Sequence, residues 1–422
     1  MKAPTLLLLL ALGIVAAAVV AGCGSSSSSS SSSSESTTAE GSGGAETTAG
    51  EASGESSEEG GGKFEAIAGT EFVKGVPTLE ELWEGEEEPP PKSGPPVKKN
   101  VSVVFVSCGQ EAPGCSVVPN AMKEPAEKLG WDFRIIDGRL NVNNGWSNGV
   151  RQAIALKPDV IIIHGMNCPD VKQPLEEAKS AGIAVMGLED VDCDSKAAGN
   201  EEKLFSVEME YNKNIKSGEE YFYRWGLNEG AYAADTSEGK GKIILGSYQE
   251  TFGKPLQEGI ESVLDKCAEC EVQEEIPFTA AEQVANGPYV QKFRSALIKN
   301  PEANVAMPIL ETGIVAGGIG NAVVEAGKAQ SMVTVGAELN APGAQLIEEE
   351  KGYTGAPAAH SPVWMAWGAL DEINRYLNNQ PAVPEGVGFV TAEKGHNFPP
   401  AGQGYETSYP YKEGYEELWG FK

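Results

Sequence analysis

Short apolar runs alternate with segments of helical periodicity along most of this chain. The first run, 101–107, is continuously apolar, which is typical of a strand buried on both faces of a parallel sheet. The next segment, 118–129, has helical spacing and is closed by Gly130. The same alternation predicts three more strands and two more helices: strands at 132–137, 160–164 and 183–188, and helices at 149–156 and 171–180. This order is typical of a doubly wound parallel sheet.

A second series of the same kind follows. It predicts strands at 242–247, 271–277, 304–310 and 332–337 and helices at 212–225, 256–264, 288–300 and 313–326. The glycines from Gly313 to Gly320 belong to a helical pattern, so they indicate close helix packing rather than a phosphate loop. Roughly 320 residues follow Asn100, which is ample for two separate cores. We therefore predict an α/β fold with two doubly wound parallel-sheet lobes.

The beginning of the chain carries a different pattern. Lys2 precedes an apolar run, 6–20, that is too short for a comfortable membrane span. The run ends in Val-Ala-Gly before Cys23, and small residues at this place are what signal peptidases accept. A Cys directly after the cleavage point resembles the lipobox of bacterial lipoproteins, in which the thiol is acylated. We expect a signal peptide over 1–22 and a lipid on Cys23; an ordinary signal peptide or a short anchor helix is the alternative.

Two low-complexity segments follow. Residues 23–62 are nearly all Ser, Gly, Ala, Thr and Glu, so they cannot offset the entropy of ordering and predict a disordered tether. A coil of about 40 residues spans roughly 35 Å on average. In the spacer 63–99, Thr78 and Glu81 form the pattern of a capped short helix before a stiff proline-rich stretch. The net charge of −29 argues against a nucleic-acid partner, since phosphate binding needs Lys and Arg.

Six cysteines remain beyond Cys23, and an even number in an exported chain suggests disulfides. Cys108 and Cys115 bracket one loop, and Cys267 and Cys270 bracket another. Cys168 and Cys193 each follow a predicted strand, and neighbouring parallel strands would bring their ends together, so we predict these three pairs. The spacing of Cys267 and Cys270 is also that of redox-active pairs. A redox pair opens a helix, however, where the dipole stabilises a thiolate, whereas this pair ends a helical pattern.

The chain from Lys99 to about Thr391 resembles the type I periplasmic binding proteins of ribose-binding type. The resemblance lies in the order and spacing of short motifs: 99–130, Lys157-Pro-Asp-Val-Ile-Ile-Ile-His164, 176–185, 239–244, 257–260 and 333–336. It is strongest to lipid-anchored, sugar-type substrate-binding proteins of ABC importers, which share the Ser-Cys-Gly-Gln loop at 107–110 and paired cysteines. The resemblance implies a ligand cleft between two lobes and three crossings, near 206–211, 359–362 and 389–391. The N-terminal lobe then comprises 100–209 plus 361–390, and the C-terminal lobe 210–360 plus 391–422.

Polar side chains follow the predicted strands, and ligands in open parallel sheets bind at the carboxyl ends of strands. The candidates for ligand binding are Gln110, Asn167, Glu189, Asp190, Tyr248, Glu311, Glu338 and His360. The resemblance implies that four of them occupy family ligand positions with a changed residue: Glu189 and Glu338 for Asp, Glu311 for the Asp of an Asn-Asp pair, and His360 for Gln. Carboxylates suit polyols because they accept several hydroxyl hydrogen bonds. The alternative is that these acids cap helices.

Two departures from the family bear on the ligand. Asp190 stands at the place of the family's Arg, and the aromatic residues that usually sandwich a sugar are missing after the first strand. Trp146, Tyr248 or Trp364 are candidates to replace those stacking faces. The candidate acids have no cationic side chain beside them among the candidates, so they suit a polar or cationic solute as well as a polyol.

The composition indicates a receptor rather than an enzyme. The chain has three histidines, none at metal-ligand spacing, and it lacks a nucleophile elbow and a phosphate loop. We expect no metal and no cofactor. The predicted function is that of a monomeric, lipid-anchored protein on the extracytoplasmic face of the cell membrane, which binds a sugar or polyol and delivers it to an ABC permease. The alternatives are a sensory receptor for a membrane partner and a secreted glycoside hydrolase with Glu311 and Glu338 as paired acids.

Overall fold

The structure, a computed structural model, describes residues 68–422. The predicted signal peptide, the lipid site at Cys23 and the tether 23–62 lie outside the described residues, as does the start of the spacer. None of the helices between residues 68 and 422 combines the length and apolar character needed to cross a membrane.

The first part of the described chain builds a five-stranded sheet. Its elements are α1 (Leu79–Glu84), β1 (Ser102–Ser107), α2 (Pro113–Ala121), α3 (Lys123–Leu129), β2 (Asp132–Asp137), α4 (Gly145–Leu156), β3 (Val160–His164), α5 (Lys172–Ser180), β4 (Ala184–Leu188) and β5 (Val207–Glu208). The strand order is β2-β1-β3-β4-β5, and every pair is parallel. All residues of β3 and β4 are buried, because helices cover both faces of the sheet.

The second part builds a six-stranded sheet. Its elements are α6 (Gly218–Thr236), β6 (Lys242–Tyr248), α7 (Gly253–Leu264), β7 (Glu271–Phe278), α8 (Pro288–Lys299), β8 (Val305–Met307), α9 (Glu311–Val315), α10 (Ile319–Glu325), β9 (Val333–Glu338), α11 (Ala341–Glu348), β10 (Gly355–Ala359), α12 (Pro362–Leu377), β11 (Val390–Glu393) and α13 (Tyr411–Leu418). The order is β11-β10-β9-β8-β6-β7, parallel except for β10 with β11. The predicted two-lobed α/β fold is confirmed.

Three segments between β5 and β11 join the lobes. The chain leaves β5 of the first sheet and enters α6, which packs on α7 and on β9 and β10 of the second sheet, so 209–217 is the first crossing. The second is 360–361, because α12 packs on α2, α3 and β5. The third is 378–389, which returns the chain to β11. These crossings lie at or beside the places implied by the family resemblance.

The chain end differs from the predicted lobe boundary. We placed residues 391–422 in the C-terminal lobe, but α13 packs on α12 of the N-terminal lobe. The rings of Trp367 and Trp419 stack with centroids 5.4 Å apart, and Trp419 Nε1 donates to Asp371 Oδ1 over 2.8 Å. The apolar face of α13 is buried there because α12 presents a matching aromatic surface, so the chain crosses between the lobes once more.

The spacer forms a strap that contacts both lobes. The predicted capping box of Thr78 and Glu81 is confirmed at α1. Leu79 N–H donates to Asp235 Oδ2 of α6 over 2.8 Å, and Glu86 N–H donates to a carbonyl of the third crossing, also over 2.8 Å. A guanidinium of α12 then donates to the carbonyl oxygen of Ser93 over 2.7 Å. The strap, 78–98, therefore runs from the C-terminal lobe along the crossings to the N-terminal lobe.

Several predicted elements have different bounds. The helix predicted at 118–129 is two helices, α2 and α3, because Pro125 lacks the N–H that would continue the ladder. The helix predicted at 212–225 begins only at Gly218, where Ser217 caps it, and runs on to Thr236. The strand 304–310 ends at Met307, before Pro308. The helix 313–326 is broken between α9 and α10, where Gly318 has a φ of 94°.

Each predicted cysteine pair is a disulfide in the structure, namely Cys108–Cys115, Cys168–Cys193 and Cys267–Cys270. The last pair lies just after the end of α7, where it closes a tight turn. That placement agrees with the structural interpretation of this pair.

Candidate functional site

A cavity lies between the two lobes at the carboxyl ends of their parallel strands. Side chains of both lobes contribute to its lining. The N-terminal lobe contributes Cys108, Gly114, Cys115, Leu140, Trp146, His164, Gly165 and Glu189 to its lining. The C-terminal lobe contributes Phe222, Trp225, Tyr248, Phe252, Ala280, Gln283, Leu310, Thr312 and Glu338.

Glu189 forms a buried polar centre at this cavity. His164 Nε2 lies 2.5 Å from its Oε2, and Tyr221 Oη donates to its Oε1 over 2.5 Å. His360 Nε2, from the second crossing, lies 3.3 Å from the same Oε1. Glu189 directly follows β4 with a φ of 52°, and its N–H donates to Tyr211 Oη over 2.8 Å. The left-handed turn thus places one carboxylate against groups of both lobes and of the crossing.

These contacts determine the charges of the group. Burial alone would raise the pKa of Glu189, but hydrogen bonds from His164 and His360 outweigh it and hold the pKa well below its usual range. Burial alone would lower the pKa of His360, but the hydrogen bond to Glu189 and the charge of that carboxylate raise it. Glu189 is therefore an anion whose charge is compensated by histidine.

Glu338 is the second carboxylate of the lining. It is the last residue of β9, with a φ of 65°. Its Oε1 reaches the N-terminal lobe, where a Cβ added to Gly114 would lie 2.0 Å from it. Burial, followed by repulsion from Glu189, raises the pKa of Glu338 to about 7. Glu338 therefore bridges the mouth of the cleft with a carboxyl group that titrates near neutrality.

Glu311, the third predicted acid, lies outside the cavity lining. Its carboxylate accepts hydrogen bonds from Asn340, with Asn340 Nδ2 at 2.6 Å and the backbone N–H at 3.0 Å. Gly343 permits this approach, since a Cβ there would lie 1.7 Å from Glu311 Oε1. Burial, followed by repulsion from Glu338, raises the pKa of Glu311 well above its usual value. These contacts lie at the start of α11, so Glu311 fits the alternative in which the strand-end acids interact with helix ends.

Aromatic side chains form much of the remaining wall. Phe222 and Trp225 come from α6, and Tyr248 and Phe252 come from the end of β6 and the loop that follows it. The rings of Phe222 and Phe252 stack with centroids 4.1 Å apart, and those of Tyr248 and Phe252 at 4.5 Å. Trp146, at the start of α4, faces them from the other lobe. These rings give the cavity an aromatic wall, although the sequence lacks aromatic residues after the first strand.

Trp146 and Tyr248 are among the residues predicted from the sequence, whereas Phe222, Trp225 and Phe252 are not. Phe222 and Trp225 are three residues apart on a helix, which is also the spacing of ordinary core packing. A signal was present, because α6 directly follows the first crossing and its first turn must therefore lie beside the cleft. Trp364, the third proposed stacking face, is fully buried against Tyr411 and does not line the cavity.

The other predicted site residues shape the loops around the cavity. Gln110 donates its N–H to Asp137 Oδ1 over 2.9 Å. Asn167 Oδ1 accepts the N–H of Val191 over 3.0 Å, and Asp190 Oδ1 accepts the N–H of Asn167 over 3.1 Å. Asn167 and Asp190 thus tie the loop after β3 to the loop after β4. Together with His360, which contacts Glu189 from behind, they lie outside the lining.

One group of acids beside this site has the spacing of metal ligands. Carboxylate oxygens of Asp192, Asp194 and Glu208 lie within 4.8 Å of one another. Lys203 Nζ lies 2.7 Å from Glu208 Oε2, however, and Asp192 accepts three backbone N–H groups from its own loop. Protein groups already compensate these carboxylates, so we assign them to the structure of the loop.

Comparisons with known proteins agree with this fold. Residues 103–381 match the sequence profile of a family described as periplasmic binding protein domain. A search of curated protein sequences found no significant match. Among solved structures, a glucose-galactose binding protein from Geobacillus stearothermophilus has a TM-score of 0.56 at 15% identity, covering 69% of this chain and 96% of that one.

Two further structures are similar to the same degree. An ABC transporter solute binding protein from Agrobacterium vitis with bound allitol has a TM-score of 0.55 at 16% identity, covering 70% of this chain and 96% of that one. Another from Mycobacterium smegmatis, with bound glycerol, has a TM-score of 0.56 at 16% identity, covering 73% and 100%. The similarity extends over the whole of these chains, and at such identity it concerns the fold.

Proposed function

Because the chain belongs to the periplasmic binding protein family, we propose that it captures a sugar or polyol in the cavity between its lobes and delivers it to an ABC permease. Members of this family bind solutes without transforming them, so the chain is a binding protein and not an enzyme. The ligands named for the similar structures are glucose and galactose, allitol and glycerol, which supports the proposed ligand class.

The observation that carries the proposal is a cavity lined by both lobes. Glu189 and Glu338 place carboxylate oxygens at it, and charged acceptors form strong hydrogen bonds with hydroxyl groups. The rings of Phe222, Trp225 and Trp146 offer flat apolar surface to the carbon faces of a sugar. A ligand between such walls contacts both lobes at once, so it stabilises the closed form over the open one.

Isothermal titration of the mature chain tests the proposal. The probes are glucose, galactose, allitol and glycerol, and we expect at least one to bind and to raise the unfolding temperature by mass action. Two neighbouring residues of α6 provide matched variants, Phe222→Leu in the cavity wall and Tyr223→Leu on the outer face. The first should weaken binding and the second should not. Absence of binding to all sugars and polyols would overturn the proposed ligand class.

Anchoring and delivery are part of the same proposal. A lipid on Cys23 and the tether 23–62 would hold a monomeric receptor at the extracytoplasmic face of the cell membrane, within reach of a permease. Cys23→Ser should move the protein from the membrane fraction to the soluble fraction and abolish labelling by radioactive palmitate. Uptake of the bound solute should fall in cells that carry this variant. Unchanged fractionation would remove the anchor from the proposal.

A further inference from the structure

Acidic groups outnumber basic groups in the cavity lining. The lining includes two carboxylates, Glu189 and Glu338, and one histidine, His164, and within the described residues it includes no Lys or Arg. Glu189 has His164 and His360 within 3.3 Å, so its charge is compensated by the protein. In the described part of the chain, no nitrogen of Lys, Arg or His lies within 4.0 Å of the Glu338 carboxylate.

The backbone N–H of Glu311 donates to the Glu338 carboxylate, but the neighbouring charged side chains are mainly acids. Glu189 repels it from the N-terminal lobe, and Glu338 in turn raises the pKa of Glu311 at the start of α9. His360 attracts Glu338 from the second crossing, but that histidine already contacts Glu189. A carboxylate that is removed from water without a cation is destabilised. The site therefore favours a ligand that brings a positive charge of its own.

The neutral polar atoms of the lining have the same bias towards accepting hydrogen bonds. Gln283 is 3% exposed, and its Oε1 has no hydrogen-bond partner among the described residues. Glu338 and Gln283 thus present acceptors, and an ammonium group offers three donors and no acceptor.

The aromatic wall fits the same chemistry. Five aromatic residues line the same cavity as the two carboxylates, namely Trp146, Phe222, Trp225, Tyr248 and Phe252. The negative face of an aromatic ring attracts cations, most strongly for Trp, and apolar faces of a sugar pack on the same rings. A compound with hydroxyl groups and one ammonium group uses both properties.

On the basis of the proposed function, we infer that the solute is a sugar or polyol that carries a protonated amino group, and that Glu338 receives this group. Glu338 is the residue that sets this preference, since it is the lining carboxylate without a cationic partner. Glu189, whose charge is already compensated, then serves the hydroxyl groups. A neutral sugar would leave the charge of Glu338 unmatched.

Pairs of ligands that differ only at the amino group test this inference. The probes are glucosamine against glucose and N-acetylglucosamine, and glucamine against glucitol, titrated into the mature chain. We expect the amino member of a pair to bind at least about tenfold more tightly, as for other buried charge pairs. Glu338→Gln keeps the shape and removes the charge, so it should abolish the preference for the amino member of each pair.

Glu250→Gln is the matched control. Glu250 also follows a strand of the C-terminal lobe and burial raises its pKa to about 7, but it does not line the cavity. This variant should keep the preference for the amino compound. Equal or tighter binding of the neutral members would overturn the inference and leave the proposed function intact. Binding of no sugar, polyol or amino derivative would overturn the proposed function itself.

Discussion

Glu338 of the C-terminal lobe and Gly114 of the N-terminal lobe meet across the cleft, so closely that a Cβ at position 114 would lie 2.0 Å from Glu338 Oε1. Gly114 lies in the first turn of α2, and Glu338 ends β9. The contact exists only when the lobes are together. Because the atom that a Cβ would meet belongs to a carboxylate of the cavity lining, Gly114 couples the approach of the two lobes to the position of Glu338.

The first prediction concerns that contact. Gly114→Ala should weaken ligand binding by about tenfold, which corresponds to about 1.4 kcal/mol of overpacking in the closed form. Stability without ligand should not fall, since Ala has the higher helix propensity. Titration calorimetry measures the first effect and urea unfolding the second. Unchanged affinity would mean that the Glu338 side chain rotates away without loss to binding.

A second prediction follows from the pairing of His360 with Glu189. The raised pKa of His360 means that its protonation stabilises the folded state at pH values below its unfolded pKa, and that this contribution disappears as the pH rises through its folded pKa. His360→Gln should therefore lower the free energy of unfolding by about 2 kcal/mol near pH 6, and by less near pH 9. Urea unfolding at the two pH values measures the difference.

His396→Gln is the control for this variant. His396 is exposed and stacks on Trp83 rather than on the Glu189 group. Its replacement should change stability little at either pH. If the loss caused by His360→Gln were the same at both pH values, the charge of His360 would not contribute to folding.

The carboxyl groups between α12 and the third crossing yield a third prediction. Burial, together with repulsion from Asp371, raises the pKa of Glu372 to about 8, and burial with both neighbouring acids raises that of Glu385. The folded state therefore holds protons that the unfolded chain has lost, so stability falls as the pH rises from about 5 to about 8. Glu372→Gln keeps the oxygen that accepts the N–H of Val383 and should flatten this decline.

Unfolding by urea at several pH values between about 6 and 9 measures this slope. Glu413→Gln, an exposed change on the neighbouring α13, should leave the slope of the wild-type protein unaltered. A Glu372→Gln variant with the wild-type slope would show that other buried acids carry the pH dependence.

Strands that are buried on both faces could be predicted from the sequence, because burial on both faces requires a continuous apolar run. β1, β3 and β4 are continuous apolar runs, and the observed bounds lie within one residue of the predicted ones. β10 was missed because Gly355–Ala359 consists of Gly, Ala and Pro, which carry no strand preference and are selected here by close packing. The helix α13 was also not predicted, because the residues that it buries can be recognised as core only once α12 is known to pack against them.

The site was predictable to the extent that strand ends define it. Glu189 and Glu338 were found because residues that follow parallel strands share one edge of the sheet. The aromatic wall was not predicted as a whole, because Phe222 and Trp225 come from α6, a helix of the C-terminal lobe that reaches the cleft only after the first crossing. Nor could the sequence separate Glu338, which faces the cavity, from Glu311, which turns away to Asn340.

The disulfides give the last prediction, because the loops they close differ in length. Cys168 and Cys193 are 25 residues apart, whereas Cys267 and Cys270 are 3 apart. In the chain-entropy account, a longer closed loop restricts the unfolded chain more, by about 3.5 kcal/mol against about 1.6 kcal/mol. Replacing both cysteines of the first pair by Ser should therefore lower the free energy of urea unfolding about twice as much as replacing those of the second. Cys168–Cys193 also ties the loop after β3, which His164 precedes, to the loop after β4, which begins with Glu189, so its loss should weaken ligand binding as well. Equal losses of stability for the two double variants would contradict the entropic account, and unchanged affinity would separate this crosslink from the geometry of the cavity.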